Sequence, residues 1–183
     1  MAYGTEEKLM EAALKEFAEK GYAGAKTKVI AERSGVSEMT LFRRFKSKRN
    51  LFKQVLKKYQ EDAIKEYNLI LENKKNENSD DYFKQINYRL WETTEKNFDF
   101  LSLVILEKEK ISEDITSDMI SKLSELMALI FPKSNIDPEI IAFSILSFMY
   151  LSVLDKHQER EVINHKEDFK KFIKYITTCL IKI

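Results

Sequence analysis

Apolar residues recur along this chain mostly at intervals of three and four, the spacing that places side chains on one face of an α-helix. Leu9, Ala13 and Phe17 repeat every four residues, behind a candidate cap at Thr5 and ahead of a stop at Gly21. Two short helices follow. Thr27 is placed to cap the first, which offers Val29, Ile30 and Ala31 to a core; Gly35 ends it and Val36 fills the buried corner. Ser37 caps the second, with Glu38 in its first turn where the helix dipole favours an acid. There Leu41 and Phe45 lie four apart and face inward, leaving Glu38, Met39, Thr40, Phe42, Arg43 and Arg44 on the other faces. Ser47 caps a longer helix from Lys48 to about Glu72, with Leu51, Val55, Tyr59 and Ile64 among its apolar residues.

The polar run 73–81 is the clearest loop in the chain. Ser79 caps a helix through about Lys96 that carries Phe83, Ile86, Leu90 and Trp91. Further helices are predicted over Phe98–Lys108 and Asp118–Phe131, with 111–117 undecided between them. Asp137, with Pro138 at the first helical position, opens a helix that reaches about Glu159. The last helix runs from Asp168 to the end, with Phe169, Phe172, Ile173, Ile176 and Leu180 on its apolar face. Only 4 glycines and 2 prolines in 183 residues leave little room for strand turns. The prediction is an all-α fold of about nine helices. Residues 1–47 form a three-helix domain with a helix-turn-helix, and residues 48–183 form a larger helical domain for effector binding and dimerisation.

Residues 140–154 are apolar on nearly every side of their helix, a run shorter than a bilayer span. Such a helix needs partners on more than one face. One is the core of its own domain. The other is either a second copy of the chain, with Ser144 and Ser147 permitting close approach, or further core of the same monomer.

Charge sharpens this division. The net charge of +1 hides a split: residues 1–50 carry 11 basic and 7 acidic side chains, and the remainder carries 20 basic and 23 acidic. Between Lys26 and Arg49 there are 8 basic and 2 acidic residues. A basic head and a slightly acidic body suit a protein that meets nucleic acid with one end only. A helix-turn-helix lays its second helix in the DNA major groove, so the stretch from Thr27 to Lys48 proposes DNA binding.

From about Leu9 to Phe52 the chain resembles, without a gap, the N-terminal domain of TetR-family transcriptional regulators. The likeness rests on the A-x-x-x-F-A-E-K-G-Y block ending at Tyr22, the I-A-E-R-x-G-V-S block and the T-L-F-x-x-F-x-S-K block. The resemblance implies that Thr27 and Lys28 hold a phosphate at the start of their helix, that Ser37, Glu38, Met39 and Thr40 face the bases, and that Phe42, Arg44 and Lys48 occupy phosphate-contacting positions. Arg43 is counted with the same surface. The chain departs from the family pattern in three places. Phe42 lacks a phenol hydroxyl; Arg44 replaces a shorter ring and can grip phosphate with two donors; and Met39 is bulkier than usual and can meet a thymine methyl. Glu38 is either an acceptor for a cytosine amino group or a favourable helix N-terminal charge.

The resemblance also implies a homodimer on a pseudopalindromic double-stranded DNA operator and, most simply, a repressor released by a small apolar or amphipathic effector. Phe143, Ser147, Tyr150, Phe172 and Ile176 are the dimer candidates. Trp91, Phe98, Met127 and Phe148 are candidate effector contacts, backed by Phe100, Met119, Phe131 and Met149; plain core packing is the competing reading for each. Asn87, Glu92, Thr94 and Glu95 are near enough in sequence to orient an effector. The alternatives are a helical regulator or interaction module governed by a protein partner.

No glycine-rich phosphate loop is present, and no Ser/His/acid set can be assembled, so no catalytic role is expected. His157 and His165 lie eight apart without a third ligand at suitable spacing, and no metal or cofactor is expected. Cys179 is the sole cysteine, so an intrachain disulfide is impossible. The first ten residues lack a signal-peptide pattern, and a cytoplasmic protein with no membrane partner is expected.

Overall fold

The computed structural model describes residues 4–71, 79–107, 115–158 and 165–181. Among them the chain forms nine α-helices and no strand: α1 (Thr5–Gly24), α2 (Thr27–Ser34), α3 (Glu38–Phe45), α4 (Lys48–Leu71), α5 (Ser79–Lys96), α6 (Phe98–Leu106), α7 (Ile115–Ile130), α8 (Pro138–His157) and α9 (His165–Ile181). They divide into two compact units, Met1–Ile64 with Asp99–Ser112, and Lys65–Phe98 with Glu113–Ile183.

In the first unit the four-residue repeat of α1 buries Leu9, Ala13 and Phe17. Ile30, Leu41, Phe45, Leu51 and Val55 join them as buried residues, each large side chain contributing about 2 kcal/mol of transfer free energy. Phe17 meets Phe52 edge to face at 5.0 Å between centroids, and Tyr22 meets the same ring at 4.9 Å. The start of α1 differs from expectation. Gly4 is the N-cap residue and Thr5 the first helical one; the Glu7 carboxylate accepts the Gly4 N–H at 3.0 Å. Gly21 interrupts α1 as a kink (φ 66°, ψ 170°), and helical structure resumes as far as Gly24. The buried Glu107, just past the end of α6, accepts the Tyr22 N–H there at 2.7 Å.

In the second unit α8 packs against α5, α7 and α9. Asp137 caps α8 by accepting the Glu139 N–H at 2.8 Å, with Pro138 in the first turn. By length and composition this 20-residue helix could cross a bilayer; its buried side, including Ile141, Ile145, Met149 and Val153, serves the core of the unit. Trp91 packs on Phe169 at 4.6 Å, and Phe83 meets Phe131 at 5.1 Å. Tyr67, buried, shares a hydrogen bond with Thr94 at 3.1 Å, and burial pushes its phenol up to about 12.

Several helix ends shift by a few residues. The predicted loop at 73–81 gives up its last three residues to α5, and α9 starts at His165, three before Asp168. The undecided stretch 111–117 contributes Ile115–Ser117 to α7. Residues 72–78 and 108–114, including the expected ends of α4 and α6, lie outside the described residues.

Candidate nucleic-acid interface

The turn between α2 and α3 follows from two residues. Gly35 takes the left-handed conformation (φ 73°, ψ 25°), and its N–H together with that of Val36 closes the end of α2 on Glu32 and Ala31. Ser37 then caps α3, accepting the Thr40 N–H at 3.2 Å, and the two hydroxyls lie 3.0 Å apart. Leu41 and Phe45 anchor α3 inward, both buried; Val36 is only half-buried, so the corner is less enclosed than its apolar side chain suggests.

Thr27 does not cap α2. Lys26 is the N-cap residue, without a side-chain cap, and its N–H is taken at 3.1 Å by the buried Glu16 of α1. The Thr27 hydroxyl instead donates to Glu38 Oε1 at 2.6 Å, joining the first residue of α2 to the first of α3. Lys28 is exposed one residue further on.

The outward flank of α3 presents Met39, 79% exposed, and Phe42, 39% exposed, with Arg43 and Arg44 also exposed. Arg44 forms an ion pair with Glu6 of α1. At the other end of α3, Lys46 adopts a positive φ (64°, ψ −38°), and the Ser47 N–H reaches back to the Phe45 carbonyl at 2.7 Å, a γ-turn. Ser47 caps α4 by accepting the Asn50 N–H at 3.1 Å. Lys48 donates to the Ala23 carbonyl at 3.3 Å and stands 4.9 Å above the Tyr22 ring.

The cations are therefore not equivalent. Arg33 is committed to Glu19 and Glu16 of α1, and its hydrogen bonds hold the Glu19 carboxyl below the usual carboxylate range. Lys26, Lys28, Arg43, Lys46 and Arg49 are exposed with no ion-pair partner among the described residues. Exposed cations on and around α3 can displace the counterions of a phosphate backbone while α3 offers hydrogen-bonding and apolar groups to base edges. Sequence reasoning missed Glu6, counted Lys46 only as one of the cations and not as the turn residue, and did not place the Tyr22 ring under Lys48. Glu6 lies 38 residues from Arg44, and no local pattern carries that pairing.

The other candidate residues lie in the second unit. Trp91, Phe98 and Met127 are buried and Phe148 is half-buried. Each ring has a partner ring: Trp91 has Phe169, Phe98 stacks on His157 at 4.0 Å and Tyr150 at 5.8 Å, and Phe148 lies parallel to Phe172 at 4.3 Å. Thr94 is buried against Tyr67 and the Met149 sulfur; Asn87 is buried, with Nδ2 donating to the Phe83 carbonyl at 2.8 Å and Oδ1 without a partner among the described residues. Glu92 and Glu95 pair on the surface with Lys166 and Lys156. A shallow groove of about 320 Å³ between α4 and α5 is lined by Glu66, Leu69, Arg89, Glu92, Thr93 and Lys96, none of them an aromatic candidate.

Of the dimer candidates, Phe143 is 58% exposed, while Ser147, Tyr150, Phe172 and Ile176 are half-buried. Ile140 and Leu151 on α8 and Tyr175 on α9 add large exposed side chains. Ile140, Phe143, Ser147 and Leu151 are spaced three and four apart and form one stripe. Neither histidine gathers ligands: no group of three metal-binding side chains occurs among the described residues, and His165 lies 3.7 Å from Asp155.

Comparison with known proteins follows the same division. Residues 9–55 match the model of bacterial regulatory proteins, tetR family. Over 55 residues the chain is 40% identical to the uncharacterised HTH-type transcriptional regulator YvkB of Bacillus subtilis (strain 168), a match spanning 30% of this chain and 29% of that protein. The fold as a whole is similar to a TetR-like transcriptional regulator from Rhodococcus sp. RHA1 (TM-score 0.69, 14% identity, 93% of each chain). It is also similar to a transcriptional regulator of the TerR/AcrR family from Aquifex aeolicus VF5 (TM-score 0.66, 19% identity, 97% of this chain and 100% of that one). A third likeness is to the fatty acid degradation regulator FadR from Bacillus halodurans (TM-score 0.63, 14% identity, 99% of this chain and 96% of that one).

Proposed function

We propose, from the match of residues 9–55 to the tetR family of bacterial regulatory proteins, that the chain is a one-component transcriptional repressor of that kind. It binds a pseudopalindromic double-stranded DNA operator as a homodimer in the cytoplasm and is released by a small apolar or amphipathic effector. The observation that carries this reading is α3 itself: an eight-residue helix with a fixed N-terminus, an anchored inner face and an outer face of apolar and cationic side chains. In this reading residues 1–47 are the DNA-binding domain. Thr27, Lys28, Phe42, Arg43, Arg44 and Lys48 serve the backbone, and Ser37, Glu38, Met39 and Thr40 face the bases.

Residues 48–183 supply dimerisation and control. The exposed stripe of α8, with Tyr175 on α9, supports a symmetric interface, because a contiguous apolar surface of this kind is costly to leave in water. Two copies of α3 then stand about one DNA turn apart, or a multiple of it. An effector acts by binding the released form more tightly than the operator-bound one, and α4 is a helix with residues in both compact units. A second reading, control by a protein partner, is favoured by one observation: the aromatic candidates in the body are already matched ring to ring.

The test is fluorescence anisotropy of the purified protein on labelled DNA from upstream of its own gene, and on a scrambled duplex, at two salt concentrations. Preference for the native duplex with affinity falling steeply in salt is the expected result. Salt-insensitive binding, or none to either duplex, removes the repressor reading.

A further inference from the structure

Glu38 is the one acid on α3, and the structure gives it an unusual setting. The capping task at this helix end is already filled, since the Ser37 hydroxyl takes the Thr40 N–H. The Glu38 carboxylate turns instead across the corner and accepts the Thr27 hydroxyl through Oε1 at 2.6 Å, leaving Oε2 without a partner among the described residues. A short bond of this sort fixes the side chain before anything binds, so little rotamer freedom is left to lose on association.

We propose that Glu38 is a specificity-determining residue that reads a cytosine in each operator half-site, and that Thr27 is the positioning residue that aims its carboxylate. The inference rests on the operator reading above. An ionised carboxylate has no donor, so among base edges in the major groove it can pair only with an amino group. Adenine places its amino group beside N7, whose lone pair repels a carboxylate; cytosine does not. Everywhere else on DNA the Glu38 charge faces phosphates and weakens binding. It therefore acts as a penalty lifted only where a cytosine amino group is within reach. One further consequence concerns Thr27. Its hydroxyl has a single proton, and Glu38 holds it, so the contribution of this residue to phosphate binding falls to its backbone N–H.

The test is selection from a library of double-stranded oligonucleotides with a randomised core, using the full-length protein and the variants Glu38→Gln, Glu38→Ala, Thr27→Val and Thr27→Ser. The wild type is expected to enrich half-sites with cytosine at one fixed position, and changing that cytosine to thymine should weaken binding about tenfold. Glu38→Gln should move the preference at that position to adenine and leave the others intact, a shift that a merely structural residue cannot produce. Glu38→Ala should relax that position and bind random duplex more tightly. Thr27→Val should blunt the cytosine preference, and Thr27→Ser should retain it. If both Glu38 variants select the wild-type site, or lose every position equally, Glu38 is a strut and the inference fails. An unblunted preference in Thr27→Val overturns the positioning role alone. If the wild type enriches no sequence, the operator reading itself is wrong and this inference goes with it.

Discussion

The eight residues of α3 and the twenty of α8 both leave apolar side chains in water, in opposite company. On α3, Met39 and Phe42 stand among Arg43, Arg44 and nearby lysines, and each end of the helix is held by a named capping or turn residue. On α8, Ile140, Phe143 and Leu151 line up along one face with only serines between them on that stripe. The first arrangement suits a polymer that is charged along its backbone and apolar at its base methyls. The second suits another apolar surface. Exposure alone does not separate the two; the neighbouring charges do.

Phe45→Ala should have the largest effect. Removing that fully buried ring should cost about 4 kcal/mol, enough to unfold the first unit while the helices of the second persist. Circular dichroism should then show part of the helix signal missing before denaturant is added and the rest lost in one later step, and a full helix signal lost in a single shared transition would mean that the two units do not melt separately. Next in size is the pair Phe143→Glu with Leu151→Glu. Placing carboxylates in the proposed interface should weaken self-association by at least about a hundredfold with helix content unchanged, as sedimentation velocity would reveal. A dimer that survives both changes moves the interface elsewhere.

The third concerns Tyr67, a buried polar group of the second unit. Burial raises its phenol from the ordinary value near 10 to about 12, so the neutral form is the one the fold favours. The stability this contributes is complete below pH 10 and is lost as pH rises from 10 through 12, an effect on the order of 2 kcal/mol. Denaturation midpoints should fall over that window, and Tyr67→Phe should flatten the fall. The smallest expected effect is at Glu6, whose carboxylate occupies Arg44 as a phosphate would. Glu6→Gln should tighten DNA binding a few-fold and steepen the salt dependence by about one unit. An unchanged slope would show that Arg44 does not reach phosphate.

The two regions were also unequally legible. The turn at Gly35, the cap at Ser37 and the inward pair Leu41 and Phe45 are local rules, each fixed within four residues, and sequence alone places them. The order of the helices was readable for the same reason. What was not readable depends on chain reversal. Thr27 reads as a cap, yet its partner is Glu38, eleven residues on, and Glu16 supplies the bond at the start of α2. Arg44 reads as a free cation, yet Glu6 holds it. In the body, Trp91, Phe98 and Phe148 are equally good as pocket walls or as stacked core, because periodicity gives the face of a helix and not what stands opposite.

Two glycines with positive φ illustrate how differently such positions constrain a lineage. At Gly35 the backbone lies in the region that asparagine also visits, and a Cβ would meet nothing within 4 Å. At Gly21 the ψ of 170° belongs to a region open only to glycine, and a Cβ would stand 2.9 Å from Glu107 Oε1. Drift can therefore pass through position 35 by way of asparagine. Position 21 is closed twice over, and trimming Glu107 to make room would reopen only one of the two locks.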